Sequence, residues 1–177
     1  MSGKTAWITG ASSGIGEGLA KEWLARGGRC VLSGRNVAAL EAVAAHAPDR
    51  CLVLPFESTD YAAIPAMVDK AVAFAGNIDV LVNNAGISQR SLAIDTDMSV
   101  YRKIVDVDLL APIALTQALL SHLLARGSGG IVMISSVAGK AGVPMRTAYC
   151  AAKHGLVGYA DSLRSEIAGQ GIKVLVV

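Results

Sequence analysis

A tyrosine and a lysine spaced four residues apart, Tyr149 and Lys153, form the pair of side chains best suited to acid–base chemistry. Residues four apart share one face of a helix, so the lysine would lie beside the phenol ring. A tyrosine hydroxyl titrates near ~10 in water, and a nearby positive charge stabilises its phenolate. Such a tyrosine can exchange a proton with a carbonyl or an alcohol. Ser136, thirteen residues upstream, adds a hydroxyl that could bond the substrate oxygen.

A glycine-rich turn near the N-terminus is the second chemical feature, since Gly10, Gly14 and Gly16 follow the apolar run Ala6–Thr9. Gly10 would permit the tight turn out of a strand, and Gly14 would let the backbone approach a phosphate. Gly16 would let the following helix lie close on the sheet. Free N–H groups at the start of that helix would then face an anion. The pattern predicts a strand, a phosphate-binding turn and a helix.

The elements that must position these residues follow from short apolar runs that alternate with helical patterns. Strands are predicted over residues 4–9, 30–33, 51–54, 78–82, 131–134 and 172–177, and helices over 15–26, 36–46, 60–75, 98–125 and 147–168. Continuous apolar strands that alternate with helices indicate a parallel sheet covered on both faces. Right-handed crossovers make such a sheet doubly wound. We find no internal linker, so the sequence predicts one α/β domain over residues 1–177.

The end of the second predicted strand bears on the choice of cofactor, because ligands of such sheets bind at the carboxyl ends of the strands. Residues 33–36 contain no carboxylate that could bond a ribose 2′-hydroxyl. Arg35 instead offers a fork of donors suited to a 2′-phosphate. This favours NADP over NAD, and the alternative is that Arg35 is a solvated surface arginine.

Composition and charge exclude several classes of function. The net charge is +2 and no basic run is present, so no nucleic-acid partner is predicted. The three cysteines are far apart and form no CxxC, which indicates reduced thiols. The histidines have no metal-ligand spacing. We see no leader peptide and no apolar run long enough to span a bilayer, and therefore expect a cytoplasmic protein without membrane contact.

Four motifs in chain order resemble the short-chain dehydrogenase/reductase (SDR) family of NAD(P)-dependent oxidoreductases. They are the glycine turn Thr9–Gly16, the stretch Asn83–Gly86, the serine strand Ile134–Ser136 and the helix start Tyr149–Lys153. The resemblance runs from the first strand to the last residue. It implies a Rossmann-type fold that binds a dinucleotide.

The resemblance also implies roles for individual residues. Tyr149 would be the general acid/base, Ser136 would orient the substrate oxygen, and Lys153 would bond the nicotinamide ribose and support Tyr149. The long helix and the Tyr149 helix would pair two subunits into a homodimer or homotetramer. Residues implied at the cofactor are Gly10, Ser12, Ser13, Gly14, Ile15, Gly16, Arg35, Asn36, Asn83, Ala85, Gly86, Tyr149 and Lys153.

The sequence departs from the family at three places. Glu57 stands where the family commonly has an aspartate near the adenine amino group, and the alternative is that it is a loop acid. Asp108 stands where the family usually has an asparagine that helps to hold a water near the lysine. An aspartate near Lys153 would pair with it, keep it charged and oppose the phenolate, and we count Asp108 with the catalytic residues. The alternative is a solvated helix aspartate. Family members also continue beyond the sixth strand into a substrate lid and a seventh strand, so we expect that the chain is truncated after Val177.

These features together predict an NADP-dependent oxidoreductase that interconverts a carbonyl and an alcohol, with Tyr149 carrying the proton. The alternative is a catalytically silent dinucleotide-binding or redox-sensing module, which the unusual Asp108 favours. The substrate stays open at this level. The apolar stretch Ala141–Met145 suggests a lipophilic compound, whereas Arg90 and Arg146 could receive an anion.

Overall fold

The short apolar runs of the sequence form the strands of one parallel sheet in the computed structural model, which describes residues 1–177. The sheet order is β3-β2-β1-β4-β5-β6, which confirms the doubly wound α/β prediction. The first and fourth strands are neighbours, so the order of the strands reverses between them. The strands are β1 (Thr5–Thr9), β2 (Arg29–Ser33), β3 (Cys51–Val53), β4 (Val80–Asn83), β5 (Gly129–Met133) and β6 (Ile172–Val176).

Six α-helices cover the two faces of this sheet. Alternating residues of β1 serve both cores, since Ile8 packs with the first two helices and Trp7 packs with the third, fifth and sixth. Burial of one such side chain is worth about 1.5–3 kcal/mol. The helices are α1 (Gly14–Ala25), α2 (Val37–Ala44), α3 (Ile64–Ala75), α4 (Met98–Val105), α5 (Ala111–Arg126) and α6 (Thr147–Glu166).

The third helix starts later than predicted, at Ile64 rather than residue 60. Pro65 occupies its first turn, where the missing N–H of proline costs no helical hydrogen bond. The preceding residues form turns instead, with the N–H of Ala63 donating to the carbonyl of Asp60 at 3.1 Å.

The long helix predicted over residues 98–125 is interrupted. A π-helical turn, Asp106–Leu110, joins α4 to α5, and the N–H of Ala111 donates to the carbonyl of Asp106. Pro112 explains the interruption, because it has no N–H for the carbonyl of Asp108 and its ring would clash with that carbonyl. The wider turn carries Asp108 into the interior, where its side chain is fully buried.

Candidate active site

A cleft of about 710 Å³ opens at the carboxyl ends of the strands, above the point where the strand order reverses. This is the place where doubly wound sheets bind their ligands. Its walls come from the turn after β1, the segments after β2, β3 and β4, and one face of the α4 region. Sequence reasoning named only Glu57 in the wall after β3 and missed the wall on α4 and the π-helical turn; the missed residues include Phe56, Ser58, Thr59, Val100, Lys103 and Asp106.

The glycine turn after β1 has the backbone that its sequence requires. Gly10 and Gly14 have positive φ angles of 64° and 57°, which favour glycine. A Cβ on Gly16 would lie 2.3 Å from the carbonyl oxygen of Gly10, so only glycine lets α1 pack this closely. Nothing lies within 4 Å of a Cβ built on Gly14, and Ser13 makes no side-chain cap. The N–H groups at the start of α1 are therefore left for a ligand.

Neutral hydrogen bonds tie this turn to the loop after β4. Thr9 Oγ1 accepts from the N–H groups of Asn84 and Ala85, both at 3.0 Å, and donates to the carbonyl of Val82 at 3.3 Å. Asn84 Nδ2 donates to the carbonyl oxygens of Thr9 at 2.9 Å and Gly10 at 3.2 Å. The two loops thus form one rigid wall of the cleft.

The two asparagines of the second motif point in opposite directions. β4 extends to Asn83, one residue beyond its predicted end, and Asn83 Nδ2 donates to Thr116 Oγ1 at 3.0 Å and to Met133 Sδ at 3.3 Å. Asn83 is therefore turned into the core, and Asn84 lies at the cleft wall in its place. Strand alternation explains the difference, since successive side chains point to opposite faces. A direct contact of Asn83 with a cofactor stays a prediction that this placement does not favour.

Arg35 lies at the cleft with a mostly exposed side chain, after the end of β2. Its Nη1 is 3.6 Å from Glu57 Oε2, which comes from the neighbouring segment after β3. The sequence around Arg35 contains no carboxylate, and the fold supplies one from elsewhere. Asn36 caps α2, because its Oδ1 accepts from the N–H of Ala39 at 3.1 Å.

Tyr149 and Lys153 lie side by side on the first turns of α6, as their spacing predicts. Lys153 Nζ is 5.6 Å from the centroid of the Tyr149 ring and donates to the carbonyl of Ile134 at 3.1 Å. This bond links α6 to the segment that carries Ser136. The Tyr149 hydroxyl makes no hydrogen bond within residues 1–177, and Ser136 Oγ only accepts one, from the N–H of Ala138 at 3.2 Å. Both hydroxyls are free to bond a ligand.

Asp108 forms a buried ion pair with Lys153, and the alternative of a solvated helix aspartate is wrong. Its Oδ2 lies 3.3 Å from Lys153 Nζ and has no hydrogen-bond partner of suitable geometry, while Oδ1 accepts from the N–H of Ile87 at 2.8 Å. Burial raises the pKa of the Asp108 carboxyl, against the opposing effects of the Ile87 N–H and the Lys153 charge. A Cβ on Gly86 would lie 2.8 Å from Oδ2, so Gly86 is needed for this packing.

Gln89 is a positioning residue that sequence reasoning missed. Its Oε1 accepts from the N–H of Tyr149 at 3.2 Å, and its Nε2 donates to Thr147 Oγ1 at 3.4 Å. The Thr147 hydroxyl in turn bonds the Tyr101 hydroxyl at 2.7 Å. A loop glutamine thus caps the start of α6 from sixty residues away. No local pattern marks this contact.

The residues present fit a dinucleotide. The uncapped start of α1 and the open side of Gly14 suit a diphosphate, and the Arg35 guanidinium suits a further phosphate. Ser12 and Ile15 line the same wall, and Ala85 and Gly86 line the opposite one. No group of three or more His, Cys, Asp or Glu side chains in residues 1–177 is placed to hold a metal ion.

Known proteins with a similar sequence or structure share this architecture. The chain is 42% identical over 169 residues to dehydrogenase/reductase SDR family member 7 of Homo sapiens, covering 92% of this chain and 50% of the relative. It is 41% identical over 180 residues to member 7B of Mus musculus, covering 96% and 55%. The chain thus spans about half the length of the curated relatives it matches.

Two solved structures superpose on nearly the whole chain. A short-chain dehydrogenase from Streptomyces avermitilis has a TM-score of 0.94 at 36% identity, covering 98% of this chain and 65% of the other. A metagenomic short-chain oxidoreductase in complex with NADP also has a TM-score of 0.94, at 33% identity, covering 99% and 81%.

The prediction of a cytoplasmic protein is wrong. It relied on the lack of a spanning segment, but the helical segment Met98–Arg126, which includes the π-helical turn, is long and apolar enough to cross a membrane by length and composition. Of the 18 residues in its most apolar stretch, 39% are buried in the fold. Core helices of soluble proteins can be equally long and apolar. The relatives are named as SDR family members, with no compartment in their names. We therefore assign no location.

The family assignment rests on nearly the entire chain. The family model for short chain dehydrogenases matches residues 4–177. The match includes the glycine turn, the buried Asp108–Lys153 pair and the Tyr149 helix described above. The chain therefore belongs to the short-chain dehydrogenase/reductase family of oxidoreductases.

Proposed function

We propose that this chain is an NADP-preferring oxidoreductase that interconverts a carbonyl and an alcohol, with Tyr149 as general acid/base. One observation carries the proposal. The Lys153 ammonium is buried, held by the carbonyl of Ile134, and lies 5.6 Å from the Tyr149 ring while the Tyr149 hydroxyl is unbonded. A fixed positive charge beside a free phenol is the arrangement that acid–base chemistry at a tyrosine requires.

Each residue of the site has a separate role in the proposed reaction. The glycine turn after β1 and the loop after β4 would hold a nicotinamide dinucleotide, which would supply the hydride for reduction of a carbonyl or take it up in oxidation of an alcohol. Tyr149 gives its proton to the carbonyl oxygen in reduction and takes it from the alcohol in oxidation, and solvent restores its state. Ser136 donates to the same oxygen and orients it. Lys153 brings its ammonium beside the Tyr149 ring, and Asp108 holds that ammonium in place.

A tyrosine pair on α6 provides the test of this role. Tyr149→Phe removes the proton donor, so we expect NADPH oxidation with a panel of ketones to fall about 10²- to 10⁴-fold. The affinity for NADPH, measured by fluorescence titration, should stay within about threefold. Tyr159→Phe is the matched control, because Tyr159 packs against the core ten residues further along the same helix. Equal activity of Tyr149→Phe and Tyr159→Phe would contradict the proposal.

The preference for NADP is supported by the exposed guanidinium of Arg35 at the cleft. Arg35→Gln should weaken NADPH binding about tenfold or more, since hydrogen bonds to charged groups contribute about 1.5–3 kcal/mol. NADH binding should stay unchanged, because NADH lacks the 2′-phosphate. Dissociation constants of NADPH and NADH test this expectation. Arg102→Gln, on the exposed face of α4, is the control that removes one positive charge elsewhere. Tighter binding of NADH than NADPH by the unaltered chain would contradict the preference.

A dinucleotide-binding module without turnover is the second candidate, and Asp108 is the observation that favours it. Its carboxylate lies 3.3 Å from Lys153 and offsets the charge that would stabilise a Tyr149 phenolate. Tight NADPH binding without turnover of any ketone would support the module. Activity that depends on Tyr149 would exclude it.

Residues 1–177 would form one dinucleotide-binding domain in this proposal, and copies would pair through the long helix and α6. Apolar side chains that flank the core on the long helix are available for such pairing. They include Leu109, Leu120 and Leu124, which are only partly buried, and Leu110, which is exposed. Sedimentation equilibrium of the chain tests the homodimer or homotetramer.

A further inference from the structure

Arg146 immediately precedes α6 and lies over the ring of Tyr149. Its Cζ is 6.0 Å from the ring centroid, and its Nη1 donates to Ser88 Oγ on the cleft wall. Met145 before it has a φ of 64°, the only positive φ of a non-glycine residue in the chain. The N–H of Ser91 donates to the Met145 carbonyl at 3.1 Å. The fold thus holds an uncommon backbone conformation that directs Arg146 to the reaction site.

The charge of Arg146 is not neutralised within residues 1–177. The side chain is half-buried, and its neighbours are one hydroxyl and one aromatic ring. Two other arginines, Arg29 and Arg50, make hydrogen bonds only to backbone carbonyls. Four more pair with carboxylates, namely Arg26, Arg35, Arg126 and Arg164. A partly desolvated guanidinium without an anion, beside a free phenol hydroxyl, indicates a ligand that brings the anion.

The free edge of the guanidinium indicates which anion. Nη1 is engaged by Ser88, whereas Nε and Nη2 of Arg146 make no hydrogen bond in the chain. These two parallel donors match the two oxygens of a carboxylate. We infer that the substrate is a ketone or alcohol that carries a carboxylate, with Arg146 as the specificity-determining residue. This inference rests on the oxidoreductase proposed above.

The surroundings of Arg146 define the rest of the substrate. Val137, next to Ser136, is 77% exposed, and Met145, next to Arg146, is 37% exposed. These apolar side chains suit the hydrocarbon part of a ligand whose carboxylate binds Arg146 and whose oxygen reaches Tyr149. The other candidate for an anion, Arg90, is exposed and makes neither a hydrogen bond nor an ion pair. The substrate class is therefore an amphipathic oxo acid or hydroxy acid.

A binding experiment tests the anion site without turnover. The full chain with NADP⁺ is titrated by calorimetry with 4-phenylbutanoate and with 4-phenylbutanamide, its neutral isostere. We expect the carboxylate to bind at least about tenfold more tightly than the amide. Arg146→Gln should remove this difference, and Arg146→Lys should keep part of it because the charge stays while the fork is lost. Arg102→Gln, an exposed arginine on α4, should leave it unchanged.

A turnover experiment tests the same residue in the reaction. The substrates are 4-oxo-4-phenylbutanoate and 4-oxo-4-phenylbutanamide, in which two methylenes separate the ketone from the group that differs. Arg146→Gln should lower kcat/KM for the acid about 10- to 100-fold and change that for the amide less than threefold. An equal loss for both substrates would mean that Arg146 acts on Tyr149 alone, and this would overturn the inference. A loss caused by Arg90→Gln instead of Arg146→Gln would overturn it too.

The outcomes separate this inference from the proposed function. If Tyr149→Phe abolishes turnover but the amide is bound and reduced as well as the acid, the inference fails and the oxidoreductase stands. If no ketone is reduced but binding of 4-phenylbutanoate depends on Arg146, the oxidoreductase fails and the carboxylate site stands. Circular dichroism melts of each variant show that the compared proteins are folded.

Discussion

The loop after β4 is held on one side by neutral groups and on the other by a buried charge pair. Towards the glycine turn, Asn84 and Ala85 bond the hydroxyl of Thr9, and no charged group takes part. Towards α6, the N–H of Ile87 donates to Asp108, whose other oxygen faces Lys153. The same short loop therefore connects the proposed cofactor cradle, made of amides and hydroxyls, to the proposed proton-handling site, made of charges.

The two sides of the loop after β4 differ in what they require, since one requires a backbone shape and the other requires a charge. The cradle needs a fixed backbone, and neutral hydrogen bonds fix it without any dependence on pH. The proton-handling site needs a charge near Tyr149, and burial of that charge demands a partner. Each side should therefore respond to a different kind of substitution, and the variants below use that difference.

Loss of the buried partner should have the largest effect on stability. Asp108→Ala leaves the Lys153 ammonium buried and uncompensated, so we expect the free energy of unfolding to fall by about 3–5 kcal/mol. Urea denaturation measures it. The control is Asp161→Ala, which breaks the exposed pair with Arg164 and should cost less than about 1 kcal/mol. Equal effects of the two variants would show that Asp108 and Lys153 are not a buried pair.

A steric change in the neutral cradle should have the next largest effect. Gly16→Ala places a Cβ 2.3 Å from the carbonyl oxygen of Gly10, and we expect a destabilisation of about 1–3 kcal/mol with loss of NADPH affinity. Gly18→Ala on the same helix meets nothing within 4 Å and should stabilise by up to about 1 kcal/mol. Urea midpoints and nucleotide titrations compare them. If Gly16→Ala were as stable as Gly18→Ala, close packing would not be the reason for Gly16.

The sequence predicts the local parts of both regions well. The glycine spacing fixes a turn within one strand and one helix, and the spacing of Tyr149 and Lys153 fixes their common face. These features depend on residues close in the chain. The right-handed crossover rule adds that the sheet is doubly wound, whereas the order of the strands comes from the structure.

Contacts between distant segments were harder to predict. The directions of the Asn83 and Asn84 side chains depend on where β4 ends. A shift of the strand by one residue would exchange the faces of the sheet to which they point. Gln89 caps α6 across sixty residues with no local signal. The sequence predicts the pairing of Asp108 with Lys153 only if the two lie close together, because the pairing requires the π-helical turn and α6 to meet.

The pH dependence of stability should show the smallest effect, but it should distinguish the charged side of the loop from the neutral side most clearly. Burial raises the pKa of Asp108, so its folded carboxyl keeps its proton above the ordinary value of about 3.9, where the unfolded one loses it. Between the pKa of Asp108 in the unfolded chain and its higher pKa in the folded chain, the folded state binds more protons. The contribution of Asp108 to the free energy of unfolding therefore falls as pH rises. The slope cannot exceed about 1.4 kcal/mol per pH unit for one proton.

Two difference curves isolate this contribution. The unfolding free energy of the unaltered chain minus that of Asp108→Asn should decrease from pH 3 upward until Asp108 is ionised. The same difference for Asp97→Asn should increase with pH, because hydrogen bonds from Ser99 lower the pKa of Asp97. Gly16→Ala should shift stability without changing its slope, since the cradle contains no titrating group. A flat curve for Asp108 would mean that its pKa is the same in the folded and unfolded chains, and a rising curve would mean that the Lys153 charge outweighs burial at this carboxyl; either result would contradict the predicted sign.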